Sequence, residues 1–239
     1  MKPTLTIARR ELSSLFFSPI AYVVLGLFAL GTTLIFVNTF GPGYAAWLRE
    51  TFSGLIWLLI LIVPAISMGL ISQEIRSGTV ETLLTSPVSD TQIIIGKWLG
   101  AMGFFSVLLL PLIVLAIVLE LNGNPDWGPI VSGLIGLLLV GGLYMAIGTF
   151  ASALTPEQII AFLVTVFLIC LLTIALYFIP RAAWVPPDLA RAMMYANVND
   201  QFATFNKGLL AMPNIVYFAS TIGLFLFMAV KALEIRRWR

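Results

Sequence analysis

Hydrophobic residues fall in six long runs, at about 19–40, 53–72, 98–120, 129–154, 158–180 and 213–231, divided by short polar stretches. Each run reaches the roughly 20 mostly apolar residues that a helix needs to cross a bilayer. The pattern predicts an all-α polytopic membrane protein with six transmembrane helices in one domain spanning residues 1–239. The first run outlasts the apolar core of a secretory signal and is read as a retained anchor. An even number of spans places both termini on one side.

Two polar stretches carry helical periodicity of their own. Residues 4–17 put Leu5, Ala8, Leu12, Leu15 and Phe16 on one face and Thr6, Arg9, Arg10 and Ser13 on the other. That suits an amphipathic interface helix, or a basic determinant of topology. Between spans 2 and 3, Ser77-Gly78 reads as a turn. Val80, Leu83 and Leu84 then form one apolar face of a short helix, with Glu81 and Thr85 opposite. Pro87 ends it, because proline disfavours helical geometry in the residue before it. Ser89-x-x-Gln92 reads as a capping box opening the third span, with Asp90 at that helix's positive end. The residues alone leave two readings, a docking element for a soluble partner or an ordinary structured loop.

The connection Thr155-Pro156-Glu157-Gln158 carries the signals of a second capped helix start, with Thr155 as cap and Gln158 completing the box. It reads as a tight turn or a second partner contact. Residues 181–212 predict two short helices between spans 5 and 6, the first capped by Asp188, the second capped by Asn199 and ended by Gly208. Phe202 and Phe205 share a face of the second. These helices either re-enter the outer leaflet or pack against the spans. Pro64 and Pro111 permit kinks. Glycines 133, 136, 141, 142 and 148, and Gly96-x-x-x-Gly100, permit close helix approach without naming a partner.

Composition narrows the chemistry. The chain is 60% hydrophobic and 10% charged, whereas soluble domains are about a quarter charged. The net charge of +2 carries no nucleic-acid signal. There is no histidine, so histidine-dependent catalysis is excluded. The one cysteine, Cys170, lies in an apolar run and is read as structural. No catalytic, cofactor-binding or metal residues are assigned. Of the 13 lysines and arginines, nine (Lys2, Arg9, Arg10, Arg76, Lys97, Lys231, Arg236, Arg237, Arg239) fall on the side of the termini and four (Arg49, Arg181, Arg191, Lys207) on the other. The positive-inside rule therefore predicts cytoplasmic termini. Trp47, Trp98, Trp127, Trp184 and Trp238 fall near span ends, as in an aromatic belt. No span carries a charge near its middle, which lowers the prospect of an ion-coupled carrier.

The six spans, the basic N-terminus and the run Gln73-Glu74-x-Arg76-x-Gly78-Thr79-x-Glu81-x-Leu83-Leu84-x-x-Pro87-Val88-Ser89 leading to Gly96-Lys97 resemble the ABC-2 family of ABC transporter permeases over essentially the whole chain. Asn199–Gly208 and Asn214–Phe218 look most like the gliding-motility-associated and nitrous-oxide-reductase-maturation branch. The chain lacks that branch's histidine near Gln201 and its acidic residue after Gly208. The resemblance implies an exporter permease of a bacterial inner membrane, with Thr79–Ser86 as the main coupling helix. It implies Glu74, Arg76, Glu81 and Lys97 as polar contacts to the ATPase, Thr155–Gln158 as the smaller contact, the N-terminus as interface helix, and 181–212 as the outer re-entrant element. It further implies two cytoplasmic ATPase subunits that bind ATP and Mg, and a second permease half, identical or related. No Walker A motif occurs: the one Gly-Lys, Gly96-Lys97, precedes Trp98 and has Thr91 where the first glycine belongs. Two alternatives remain, a mechanotransmission or assembly-scaffold permease acting on an extracytoplasmic partner, and an ATP-independent carrier.

Overall fold

The computed structural model describes residues 2–40, 47–79, 88–123, 125–182 and 184–237. The expected short helix over 79–86, with Glu81, Leu83, Leu84 and Pro87, therefore lies outside the described residues except at Thr79. The helices are α1 (Lys2–Phe17), α2 (Pro19–Thr39), α3 (Arg49–Ser67), α4 (Ser72–Arg76), α5 (Asp90–Leu108), α6 (Leu110–Asn122), α7 (Trp127–Leu154), α8 (Gln158–Cys170), α9 (Pro187–Tyr195), α10 (Val198–Asn206) and α11 (Met212–Arg237). Among the described residues there is no strand. Among the described residues, six helical stretches are long and apolar enough to cross a membrane: Pro19–Thr39, Arg49–Arg76, Asp90–Leu121, Trp127–Leu154, Gln158–Arg181 and Met212–Arg236.

The third stretch starts eight residues before the apolar run does, because the Ser89 cap and not hydropathy fixes its first turn. Ser89 Oγ accepts from the Gln92 amide at 3.3 Å and Gln92 Oε1 accepts from the Ser89 amide at 3.2 Å. It breaks at Leu109, just before Pro111, which cannot donate into the ladder. The second stretch breaks over Met68–Ile71, past Pro64.

The fourth span, α7, is the centre of the bundle. In its most apolar window 72% of residues are buried, against 28%, 22% and 17% for the first, fifth and sixth spans. α7 packs against α3, α5, α8, α10 and α11. Its glycines make this crowding feasible, each facing a different neighbour. A Cβ on Gly133 would strike the Phe52 ring, on Gly136 Phe202 and Phe205, on Gly141 the Phe105 ring, and on Gly148 the Ser67 hydroxyl. Without a hydrophobic drive between helices in lipid, such close backbone approach supplies the van der Waals contact that holds spans together. Trp98 also reaches α7, its indole donating to the Gly142 carbonyl at 3.0 Å. Several interior hydroxyls turn back on their own helices, as Thr32 does to Phe28 O and Thr149 to Met145 O, which satisfies them within the apolar layer.

Gly141→Val in α7 is expected to destabilise the bundle by about 1–3 kcal/mol through overpacking against Phe105. Gly26, which has open space at its Cβ position, supplies the control. Thermal unfolding of the purified protein in detergent should show a lower midpoint for Gly141→Val than for Gly26→Val; equal midpoints would contradict the packing.

Candidate functional site

The polar connections converge on the face that carries the chain termini. α1 lies along α5 in a parallel sense, seated on a ridge of glycines. Thr4 and Ile7 cover Gly96, Ala8 and Glu11 cover Gly100, and Leu12 covers Gly103. Phe16 meets Phe104 edge-on at 5.2 Å between ring centres. Any side chain at Gly96 or Gly100 would collide with α1, so Gly96-x-x-x-Gly100 is the seat of the N-terminal helix. Most of the expected apolar face is seated, through Ala8, Leu12, Leu15 and Phe16. Ile7 and Glu11 point inward and Leu5 is exposed; Arg9 and Arg10 are exposed, as the amphipathic pattern had them.

An ion triad locks this arrangement. Lys97 Nζ lies 2.9 Å from Glu11 Oε2 and 2.9 Å from Glu74 Oε1, and the Lys97 side chain is only 4% exposed. One amine thus ties α1, α4 and α5. Lys97 had been expected to reach a partner's surface; burial between two carboxylates leaves it directed inward instead. Glu74 shares the triad. Glu11 went unremarked in the sequence because it sits in a basic helix, and no local pattern pairs it with a residue 86 positions away.

α4 is held from the other side by α7. The break at Met68–Ile71 leaves amides without helical acceptors, and Ser152 Oγ accepts from Ile71 N and Ser72 N, both at 2.9 Å. Ser152 also donates to Met68 O at 3.0 Å. The end of α7 is closed by Arg236, whose guanidinium donates to Ala153 O at 3.1 Å and Leu154 O at 2.6 Å. Those carbonyls have no partner within the helix, and a cation there also suits its dipole. Arg76 reaches Glu157 at 3.6 Å, so the two connections expected to meet a partner lie side by side. Both side chains are more than half exposed, and such a pair is worth at most about 1 kcal/mol.

Past α4 the chain turns at Gly78, whose φ of +72° suits glycine, and Thr79 is exposed. Thr155 accepts from the Glu157 amide at 3.2 Å, but helix α8 begins only at Gln158 and Glu157 holds the cap position without a side-chain bond. The expected capping box over Thr155–Gln158 is therefore replaced by a local turn, with Pro156 outside the helix.

On the opposite face, Asn197 and not Asn199 caps α10, accepting from Asn199 N and Asp200 N at 2.8 and 3.1 Å. Asn197 also donates to Thr173 O at 3.1 Å, a carbonyl in the π-helical turn Leu171–Ala175 that continues α8. Asp188 lies inside the first turn of α9 and pairs with Arg191 at 2.5 Å, with Pro187 opening the helix. Gly208, φ +90°, ends α10 with its amide on Phe205 O and that of Leu209 on Thr204 O, a Schellman closure. Phe202 and Phe205 are buried against Gly136, so α10 packs on the spans.

Six helices long and apolar enough to span a bilayer, with polar connections braced together on one face, define a multi-pass membrane protein. The chain matches the model of the ABC-2 family transporter protein over residues 42–228, and it belongs to that family. No curated protein matches it. The family supplies the membrane component of ABC transporters and not the ATPase; such a component functions with an ATPase subunit in a membrane complex.

Lys97→Met leaves Glu11 and Glu74 facing each other with no cation. Breaking a buried ion network in this way is expected to cost about 3–5 kcal/mol. A Glu11→Gln/Glu74→Gln/Lys97→Met variant, which removes all three charges, should recover most of the loss. Thermal midpoints of the purified variants measure this; an unchanged midpoint in Lys97→Met would exclude a structural triad.

Proposed function

We propose that this chain is the membrane-spanning half of an ATP-driven exporter, and that the face bearing its termini docks separate cytoplasmic ATPase subunits. The observation that carries this reading is the bracing of α4. Five residues of helix are fixed by Lys97 on one side and Ser152 on the other, immediately before residues 80–87. A docking element transmits force only if its base is rigid, and this base joins α1, α5 and α7. On this reading Glu81, Leu83 and Leu84 meet the ATPase, Pro87 and the Ser89 cap define the end of the coupling helix, and Arg76, Gly78, Thr79, Thr155 and Glu157 frame it.

Further features extend the same reading. The excess of lysine and arginine on the termini side favours cytoplasmic termini in a bacterial inner membrane. Two ATPase subunits binding ATP and Mg, a second permease half and membership of the gliding-motility-associated branch follow the resemblance described above. Closure of the ATPase pair would draw the braced elements together, and the spans would follow α7 as the common support.

The test is purification of tagged full-length chain from its native membrane in mild detergent, with co-purifying proteins identified by mass. A P-loop ATPase in near-equal ratio is the expected result. Glu81→Lys should insert normally yet lose ATPase stimulation. Recovery of no ATPase from a preparation that preserves other membrane complexes, or full stimulation by Glu81→Lys, would contradict docking at this face. Stimulation by an extracytoplasmic partner in place of a transported solute would turn the reading from export to mechanotransmission.

A further inference from the structure

The face opposite the termini carries a pocket that the docking reading does not use. It has a volume of about 440 Å³ and lies between α3, the end of the fifth span and α10. Arg49, Lys207, Asn206, Ser53, Trp57 and Tyr177 are among its walls. Asp200 also lines it, but that carboxylate is engaged by Arg181 at 3.5 Å. Arg49 and Lys207 make no ion pair among the described residues, so the pocket retains two uncompensated positive charges.

Two enclosed polar atoms here lack a hydrogen-bond partner among the described residues, Arg49 Nε and Asn206 Oδ1. The Asn206 amide is oriented by its own bonds, because Nδ2 donates to Arg49 O and to Ser53 Oγ, both at 2.9 Å. Its oxygen is therefore left as an acceptor. The Arg49 guanidinium is fixed over the Trp47 ring at 5.0 Å. A ligand in this pocket must bring anionic oxygens for Arg49 and Lys207.

The surroundings indicate an amphiphile. Trp57 and Tyr177 meet edge-on at 6.4 Å at the pocket, the kind of aromatic pair found where headgroups meet acyl chains. Leu61, one turn beyond Trp57 on α3, and Leu171 and Phe178 on the fifth span are exposed, giving an apolar surface along which chains can lie. We propose that this pocket binds the phosphate headgroup of a membrane amphiphile, with Arg49 and Lys207 on the phosphate. The proposal is independent of docking at the termini face.

The full chain, purified in detergent, would be offered phosphatidylglycerol or phosphatidylcholine and its retained lipid counted by native mass spectrometry. Phosphatidylglycerol carries a net negative charge; phosphatidylcholine, whose choline offsets its phosphate, does not. Preferential retention of one phosphatidylglycerol is expected. Each cation near a membrane surface contributes about 1 kcal/mol, so Lys207→Gln should weaken retention about fivefold and Arg49→Gln/Lys207→Gln about twenty-fivefold. Lys207 is exposed, so its variant folds even if the double variant does not. Arg191→Gln, on the same face but paired with Asp188, should retain lipid as the wild type does. No preference for phosphatidylglycerol, or an equal loss in Arg191→Gln, would overturn the site. Displacement of the lipid by soluble glycerol phosphate at matched concentration would overturn an amphiphile as the occupant in favour of a free phosphate ester.

Discussion

One ammonium group between two carboxylates holds the termini face together. Lys97 is almost fully enclosed, and Glu11 and Glu74 each lie 2.9 Å from it. Desolvating three charged groups is expensive, and well-packed apolar side chains of similar volume often do as well or better. What the triad supplies is register. Coulomb attraction and hydrogen-bond direction fix α1, α4 and α5 in a single relative position, which apolar packing alone specifies less sharply. The glycine ridge on α5 brings α1 close enough for Glu11 to reach, so the small residues and the charges act as one device.

From that junction the rest follows through α7. Ser152 secures the break that precedes α4, and Arg236 closes the end of α7 with a side chain from the last helix. The glycines along α7 admit the Phe52, Phe105, Phe202 and Phe205 side chains and the Ser67 hydroxyl. The central span thereby touches both polar faces of the molecule. At the far end Asn197 joins the cap of α10 to the carbonyl released by the π-turn of the fifth span, and a π-turn of this kind commonly marks a place where function needs an irregular helix. Packed contacts along α7 thus connect the base of α4 to α10 and the charged pocket beside it.

Much of this architecture is legible in the chain because bilayer thickness imposes a length on every apolar run. The Ser89–Gln92 cap and the Gly208 stop were readable for a similar reason, since both act within a few residues. Partners distant in sequence were not. Hydropathy marks Lys97 as an ordinary cation at a span end, and nothing local reveals Glu11 or Glu74 beside it. Ser152 in an apolar helix looks like a small core residue until the amides of Ile71 and Ser72 are seen to need it. Nothing local pairs the Trp98 indole with the Gly142 carbonyl, 44 residues away. The choice of Asn197 over Asn199 as cap depended on Thr173, 24 residues away. Glu81, Leu83, Leu84 and Pro87 lie outside the described residues, so their role rests on pattern and resemblance.

If the triad makes α1 and α4 one rigid body, their separation should not respond to nucleotide. Spin labels at Arg10 and Ser77, introduced through cysteines in a Cys170→Ala background, report this distance by pulsed electron paramagnetic resonance in the assembled complex. A single narrow distance that stays the same on ATP addition, and that broadens in Lys97→Met, is the expected result. A distance that shifts with ATP in the intact triad would show that α1 and α4 move separately and would remove the physical basis proposed for coupling.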